Sequence, residues 1–179
     1  MTNDRGALVR RLDQHRLWAA SAGRAGTQLS AEDLDFSGLD LSGHELNGIE
    51  APGSRFKGAV LARADLSGGN LAAAEFADVD LSGAQFVKTN LDHADLSRAR
   101  LTGANLRRAS LIGAKLDGAL LDGTDLRGAD LSDADLSDAD FTGTSLVGAN
   151  LEGALLDGST LDGTPAVHHL QTAASAKIK

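Results

Sequence analysis

Asp130, Asp133, Asp135, Asp138 and Asp140 place five carboxylates in eleven residues, a density that could serve a calcium loop or a general acid/base pair. Histidines could hold a metal, but His15, His44, His93, His168 and His169 have no spacing that gathers three ligands. The chain has no Cys, which removes disulfides, thiolate nucleophiles and thiolate-held zinc or iron–sulfur centres. Its 21 Gly residues include no G-x-x-x-x-G-K-[ST] phosphate loop. A basic group, Lys88, Arg107, Arg108 and Arg127, could serve a protein partner. The residue types therefore predict no catalytic residue, no metal site and no cofactor, and they predict that the chain is not an enzyme.

What positions these residues is a repeat. From Leu34 to Thr164 a five-residue period runs without insertion or deletion, and stepping by five from Phe36 to Leu161 gives 26 centres, of which 25 are Leu or Phe. All five Phe share this phase, which random placement would produce about once in three thousand trials. Two residues before each centre, from Ser54 onward, the side chain is small. Two residues after it, Gly fills 17 of 26 places, as at Gly38, Gly43, Gly113 and Gly118, where the lack of a Cβ permits a sharp turn.

A period of five scatters the centres around an α-helix and breaks the alternation of a plain strand. It fits a coil that turns at each repeat, with one large and one small side chain inside and three outside, stacked on the next coil by backbone hydrogen bonds. The expected fold class is an all-β solenoid. The aspartate run obeys the same period, since 130, 135 and 140 precede centres and 133 and 138 follow them.

Ala64-Asp65-Leu66-Ser67-Gly68, Ala104-Asn105-Leu106 and Ala129-Asp130-Leu131-Ser132-Asp133 closely resemble the Ala-(Asp/Asn)-Leu-x-x pattern of the pentapeptide-repeat family, over most of the chain. The resemblance implies a right-handed quadrilateral β-helix with four repeats per coil. On that geometry the repeats make about 6.5 coils and a rod about 31 Å long, at roughly 4.8 Å per coil. Residues twenty apart then stack, so Phe36, Phe56 and Phe76 form an internal ladder. Asp35, Arg55 and Glu75, and likewise Asp95, Lys115 and Asp135, alternate in charge along outer columns.

The expected organisation is a helical cap over residues 1–33, the solenoid over 34–164 and a tail over 165–179. A solenoid needs its ends covered. The cap is read as a helix from Arg5 to Ala22, with Asn3 or Asp4 as N-cap, Leu8, Val9, Leu12 and Ala19 as its buried stripe, and Gly23 ending it. Leu17 and Trp18 fall off that stripe, which favours a shorter helix. Leu34, Leu39, His44 and Ile49 are large at the normally small position of the first coil and should pack against the cap, with His44 satisfied or facing solvent. Ala51 before Pro52 leaves a small vacancy and a place for a kink. In the tail, His168, His169 and Leu170 either fray or close the last coil.

The net charge of −8 disfavours a general nucleic-acid binder. No apolar run could span a bilayer, and the stretch after Arg5, Arg10 and Arg11 is too short and interrupted for a secretory leader, so a cytoplasmic location is expected. Of 21 acids between residues 34 and 164, 12 occupy the customary position before a centre. Seven of the remaining nine, Asp117, Asp122, Asp133, Asp138, Glu152, Asp157 and Asp162, lie in the C-terminal third. With Asp130, Asp135 and Asp140 they form the predicted partner-binding surface. Lys88, Arg107, Arg108 and Arg127 form a second candidate patch on one face of the rod. The function read from these features is that of a binding protein acting through its surface on a protein partner, as a monomer or as a homodimer through the rod ends. Several members of the resembled family act as DNA mimics toward type II topoisomerases. The resemblance thus implies an alternative reading, a modulator or protector of gyrase or topoisomerase IV against inhibitors.

Overall fold

A computed structural model describes residues 5–161 of the chain. The N-cap candidates Asn3 and Asp4, Asp162 of the predicted acidic surface, and the tail with His168, His169 and Leu170 lie outside the described residues.

Parallel bridges join residues twenty apart in unbroken succession, from Ser30 with Glu50 to Asp135 with Leu155. Twenty residues are four repeats, so the coil is four-sided, and the fold is a right-handed β-helix with one N-terminal helix. The first bridge lies one repeat ahead of Leu34, with Ala31 in the centre position.

The repeat around Leu96 shows why five residues make one side. The N–H groups of Leu96 and Arg98 donate to the carbonyls of Lys115 and Asp117 on the next coil, and that of Asp95 donates to Ala74 on the previous one. The N–H of Ala94 closes the preceding corner on Leu91. One donor is left over, that of Ser97, and the Asp95 carboxylate takes it at 3.0 Å. A buried or half-buried backbone donor without a partner is costly, which accounts for Asp or Asn at half of the positions before a centre. The same bond recurs at Asp35, Asp65, Asn90 and Asp135.

The corner residue two after the centre has φ between +53° and +73° at every repeat from Asp33 to Gly158. This is the left-handed region, which favours Gly. Gly is nonetheless replaced at Ala73, Lys88, Arg98 and Arg108, among others.

Inside, Phe36, Phe56 and Phe76 form the expected ladder, with ring centroids 4.6 and 4.4 Å apart and planes within 13°, and Phe86 meets Phe76 edge-on at 6.3 Å. The ladder of bridges passes Ala51 and Pro52 without a break, through Glu50 with Asn70, and Ala51 is fully buried.

The cap is α1, Arg5–Ala20. It ends two residues sooner than expected, with Gly23 N–H on the Trp18 carbonyl at 2.8 Å, Ala22 N–H on Ala19 at 3.1 Å and Ala22 at φ 52°. That is a Schellman closure, with Ala22 in the position that favours Gly. Leu8 and Leu12 of the predicted stripe are buried, Ala19 is half-buried, and the third buried residue is His15. Val9 is 44% exposed, because the helix face that meets the first coil runs through positions 8, 12 and 15 and turns Val9 outward. Trp18 stays within the helix, stacked on His15 at 5.5 Å and lying over Gly48 of the first coil. Of the large first-coil residues, Leu34 and Ile49 are buried, Leu39 is half-buried, and His44 is exposed. Among the described residues no helix is long and apolar enough to cross a membrane.

Candidate functional site

The twenty-residue stacking sorts every outward side chain onto one of four faces. Face 1 carries the centres reached from Phe36 in steps of twenty, face 2 those from Leu41, face 3 those from Leu46 and face 4 those from Ala51.

Charge is divided unequally among them. Face 4, from Ser30 to Gly153, bears Glu32, Asp33, Glu50, Asp92, Asp130, Asp133 and Glu152 and has no Lys or Arg. Face 3 carries Lys88, Arg107, Arg108 and Arg127, against Glu45, Asp65 and Asp125. The predicted acidic residues thus spread over three faces: Asp117, Asp135, Asp138 and Asp157 on face 1, Asp122 and Asp140 on face 2, and Asp130, Asp133 and Glu152 on face 4. None is on face 3.

Within that acidic surface the carboxylates divide into two kinds. Asp117, Asp130, Asp135 and Asp140 are half-buried and hydrogen-bonded, to Ser97, to Ser132 and Asn150, to Ser137 and to Thr142 respectively. The Thr142 hydroxyl, then its N–H, hold Asp140 below the usual carboxylate range. Asp122, Asp133, Asp138, Glu152 and Asp157 are exposed, and no side-chain hydrogen bond or ion pair engages them among the described residues. Asp133 and Asp138 sit at left-handed corners with their carboxylates against Gly153 and Gly158 of the next coil. These five are the carboxylates available to a partner.

Two further acids outside the customary position have structural duties. Asp78 makes a two-point ion pair with Arg98, at 2.8 and 3.0 Å, which holds the Asp78 carboxyl below its ordinary range. Asp92 accepts from the Ser110 hydroxyl at 2.5 Å and the Ile112 N–H at 3.1 Å. Ser110 stands where Asp or Asn is usual, and Asp92 on the coil before takes over its bond. Along the charge columns, Arg55 pairs with Asp35 at 3.4 Å. Lys115 is bridged by its backbone between Asp95 and Asp135, without an ion pair among the described residues.

On face 3, Arg127 forks onto Asp125 through Nε at 2.8 Å and Nη2 at 2.5 Å. Asp125 is held below its ordinary range by Arg127 first, with a smaller contribution from Arg107. Lys88, Arg107 and Arg108 are exposed and in no ion pair among the described residues.

His15 is the functional-looking residue that the sequence gave no reason to single out. It is fully buried, its Nδ1 accepts from the Leu29 N–H at 3.0 Å, and burial lowers its pKa against a smaller opposing effect of the Leu46 and Asn47 backbone. Among the described residues no group of His, Asp and Glu is arranged to hold a metal.

The family model for pentapeptide repeats matches the sequence in eight copies, over residues 54–92, 104–143 and 134–165, more than half of the chain. The chain belongs to the pentapeptide repeat family. Among solved structures, this pentapeptide repeat protein is similar to a trypsin-treated form of QnrB1, a plasmid-mediated fluoroquinolone resistance protein, at 24% identity over 73% of this chain and 74% of that one, with a TM-score of 0.39. It is also similar to HetL, involved in heterocyst differentiation regulation in the cyanobacterium Nostoc sp. strain PCC 7120, at 25% identity over 88% and 94% of the two chains, with a TM-score of 0.26. A pentapeptide repeat protein of the Arabidopsis thaliana thylakoid lumen is 36% identical over 50% of this chain and 62% of its own, with a TM-score of 0.31. No curated relative matches the sequence.

Proposed function

We propose that this pentapeptide repeat protein is a non-catalytic binding rod that engages a protein partner through the acidic surface of faces 4, 1 and 2. The observation that carries this reading is the lateral sorting of charge, with seven acids and no Lys or Arg on face 4. Such a face presents one sign of potential along the rod, which attracts and orients a basic groove. The interior supports a surface role, since the inward positions from Ser54 to Leu136 are filled by Leu, Phe and small side chains.

The exposed carboxylates of the C-terminal third favour a second, finer reading, in which the rod takes the place of duplex DNA in the basic groove of a type II topoisomerase. Asp122, Asp133, Asp138, Glu152 and Asp157 lie on successive coils with no side-chain partner among the described residues, as phosphates do along a duplex.

Gyrase supercoiling with added protein, with and without a fluoroquinolone, tests both. The comparison is a variant carrying Asp122→Asn, Asp133→Asn, Asp138→Asn and Glu152→Gln. Asn tolerates the left-handed corners of 133 and 138, so the rod keeps its fold. Inhibition or drug protection by the natural chain, weakened in the variant, supports the topoisomerase reading. No effect at large molar excess removes gyrase as the partner.

A further inference from the structure

Face 3 carries four bases, and three of them, Lys88, Arg107 and Arg108, make no ion pair among the described residues. Lys88 lies directly beneath Arg108 and Arg107 directly beneath Arg127, twenty residues apart, so like charges stack on neighbouring coils. Like charges in register across strands are destabilising. Lys88 and Arg108 also occupy left-handed corners, at φ 58° and 56°, in a column that uses Gly at 48, 68, 128 and 148. Two local costs thus coincide at the same two residues, and no acid among the described residues pairs with either. On face 1 two bases are matched across coils, Arg55 with Asp35 and Arg98 with Asp78.

One base on this face shows the chemistry the others lack. Asp125 meets Arg127 with both carboxylate oxygens in a planar fork, the geometry that guanidinium groups favour. Arg107 and Arg108 present the same donors one coil away, with no carboxylate among the described residues in an ion pair with them.

We infer that Lys88, Arg107 and Arg108, beside the Asp125–Arg127 pair, form a second docking surface for a carboxylate-rich segment of a protein partner. The acids of face 4 beside this island, with the net charge of −8, oppose a long polyanion such as nucleic acid lying across the rod. A short acidic segment can cover the three bases without reaching those acids. This surface is independent of the acidic one, and a partner could hold either alone.

The test is fluorescence anisotropy of a labelled ten-residue Glu-rich peptide titrated with the full chain at low salt, beside a labelled duplex DNA. The variant is Lys88→Gly, Arg107→Ser and Arg108→Gly, which installs the residues the same columns use at 68 and 67 and so preserves the corners. The natural chain should bind the peptide saturably and weaken with salt, and the variant should lose roughly tenfold or more in affinity. Asp133→Asn with Glu152→Gln should leave peptide binding in place. Absence of saturable binding, or equal binding by a variant shown to be folded by circular dichroism, overturns the inference. Tighter binding of the duplex than of the peptide overturns the assignment to carboxylates.

Discussion

The backbone N–H of Leu29 donates to Nδ1 of His15 across 3.0 Å, and this bond fastens the cap helix to the segment that opens the first coil. It requires an unprotonated Nδ1, so it exists only with neutral imidazole. Burial lowers the folded-state pKa below the ordinary 6.5. The unfolded chain therefore takes up its proton first as pH falls, and the stabilisation is full above pH 6.5 and declines as pH falls from there through the folded value. Trp18, the single Trp, is stacked on His15 and reports the cap directly by fluorescence. Its thermal transition should move to lower temperature between pH 7 and 5, before the hydrogen-bonded aspartates titrate. His15→Phe should remove that pH dependence and cost about 1–3 kcal/mol at neutral pH, because the Leu29 N–H loses its acceptor. An unchanged pH profile in the variant would sink the assignment.

Ile49 and Gly69 occupy the same inward column on consecutive coils. A Cβ on Gly69 would come within 2.9 Å of the Ile49 carbonyl oxygen and 3.0 Å of its Cγ2. The large residue below explains why Gly stands where Ala is usual. Gly69→Ala should destabilise by about 1–3 kcal/mol through overpacking. Ile49→Ala should cost about 2–5 kcal/mol through the cavity it leaves. The double variant should be more stable than the sum of the two losses predicts, and urea melts of all four chains read the coupling. Strict additivity would show that the two residues do not compete for space.

The period and the existence of a helical cap were legible in the spacing along the chain, and the Phe ladder followed once the family resemblance implied four repeats per coil. The face-by-face sorting of charge was also latent there, since the twenty-residue stacking assigns each outward residue to a side. Reading charge along the chain in blocks hid it, because four consecutive repeats visit all four faces. His15 was not legible: a His among polar helix residues resembles a surface residue until the helix is docked on Leu29. Val9 and Ala19 were misplaced in the cap stripe for the same reason, while Leu8 and Leu12 were placed correctly. An Arg-rich helix with apolar residues at 8, 9, 12, 17, 18 and 19 has no single apolar face, and the first coil decides which residues are covered.

The left-handed corners that lack Gly give a stability prediction with a definite sign. Ala73 has φ 55° and Ala22 φ 52°, and neither side chain offers the local hydrogen bonds that let Asp or Asn tolerate this region. Ala73→Gly and Ala22→Gly should each stabilise the protein by roughly 0.5–1 kcal/mol, net of the greater freedom Gly has in the unfolded chain. Ala73→Gly should raise the melting temperature of the solenoid, and Ala22→Gly that of the Trp18 transition. A loss of stability at both would mean that the corners do not hold the left-handed conformation in solution.

Asp92 and Ser110 exchange a duty that elsewhere belongs to one residue, and the exchange can be reversed. In half of the repeats the residue before the centre, an Asp or Asn, caps the N–H two residues on. Ser110 is too short to do so, and Asp92 from the coil before reaches both the Ser110 hydroxyl and the Ile112 N–H. Asp92→Ala should therefore destabilise by about 1 kcal/mol, by leaving the Ile112 N–H without an acceptor. Ser110→Asp alone crowds two carboxylates and should be unfavourable at neutral pH. In the double variant the new Asp at 110 caps Ile112 in the ordinary way, as Asp130 does Ser132 on the next coil at 3.1 Å, and stability should return to near the starting value. Chemical denaturation of the four chains decides it. If the double variant is no more stable than Asp92→Ala, then capping of the leftover N–H is not what selects Asp and Asn at this position.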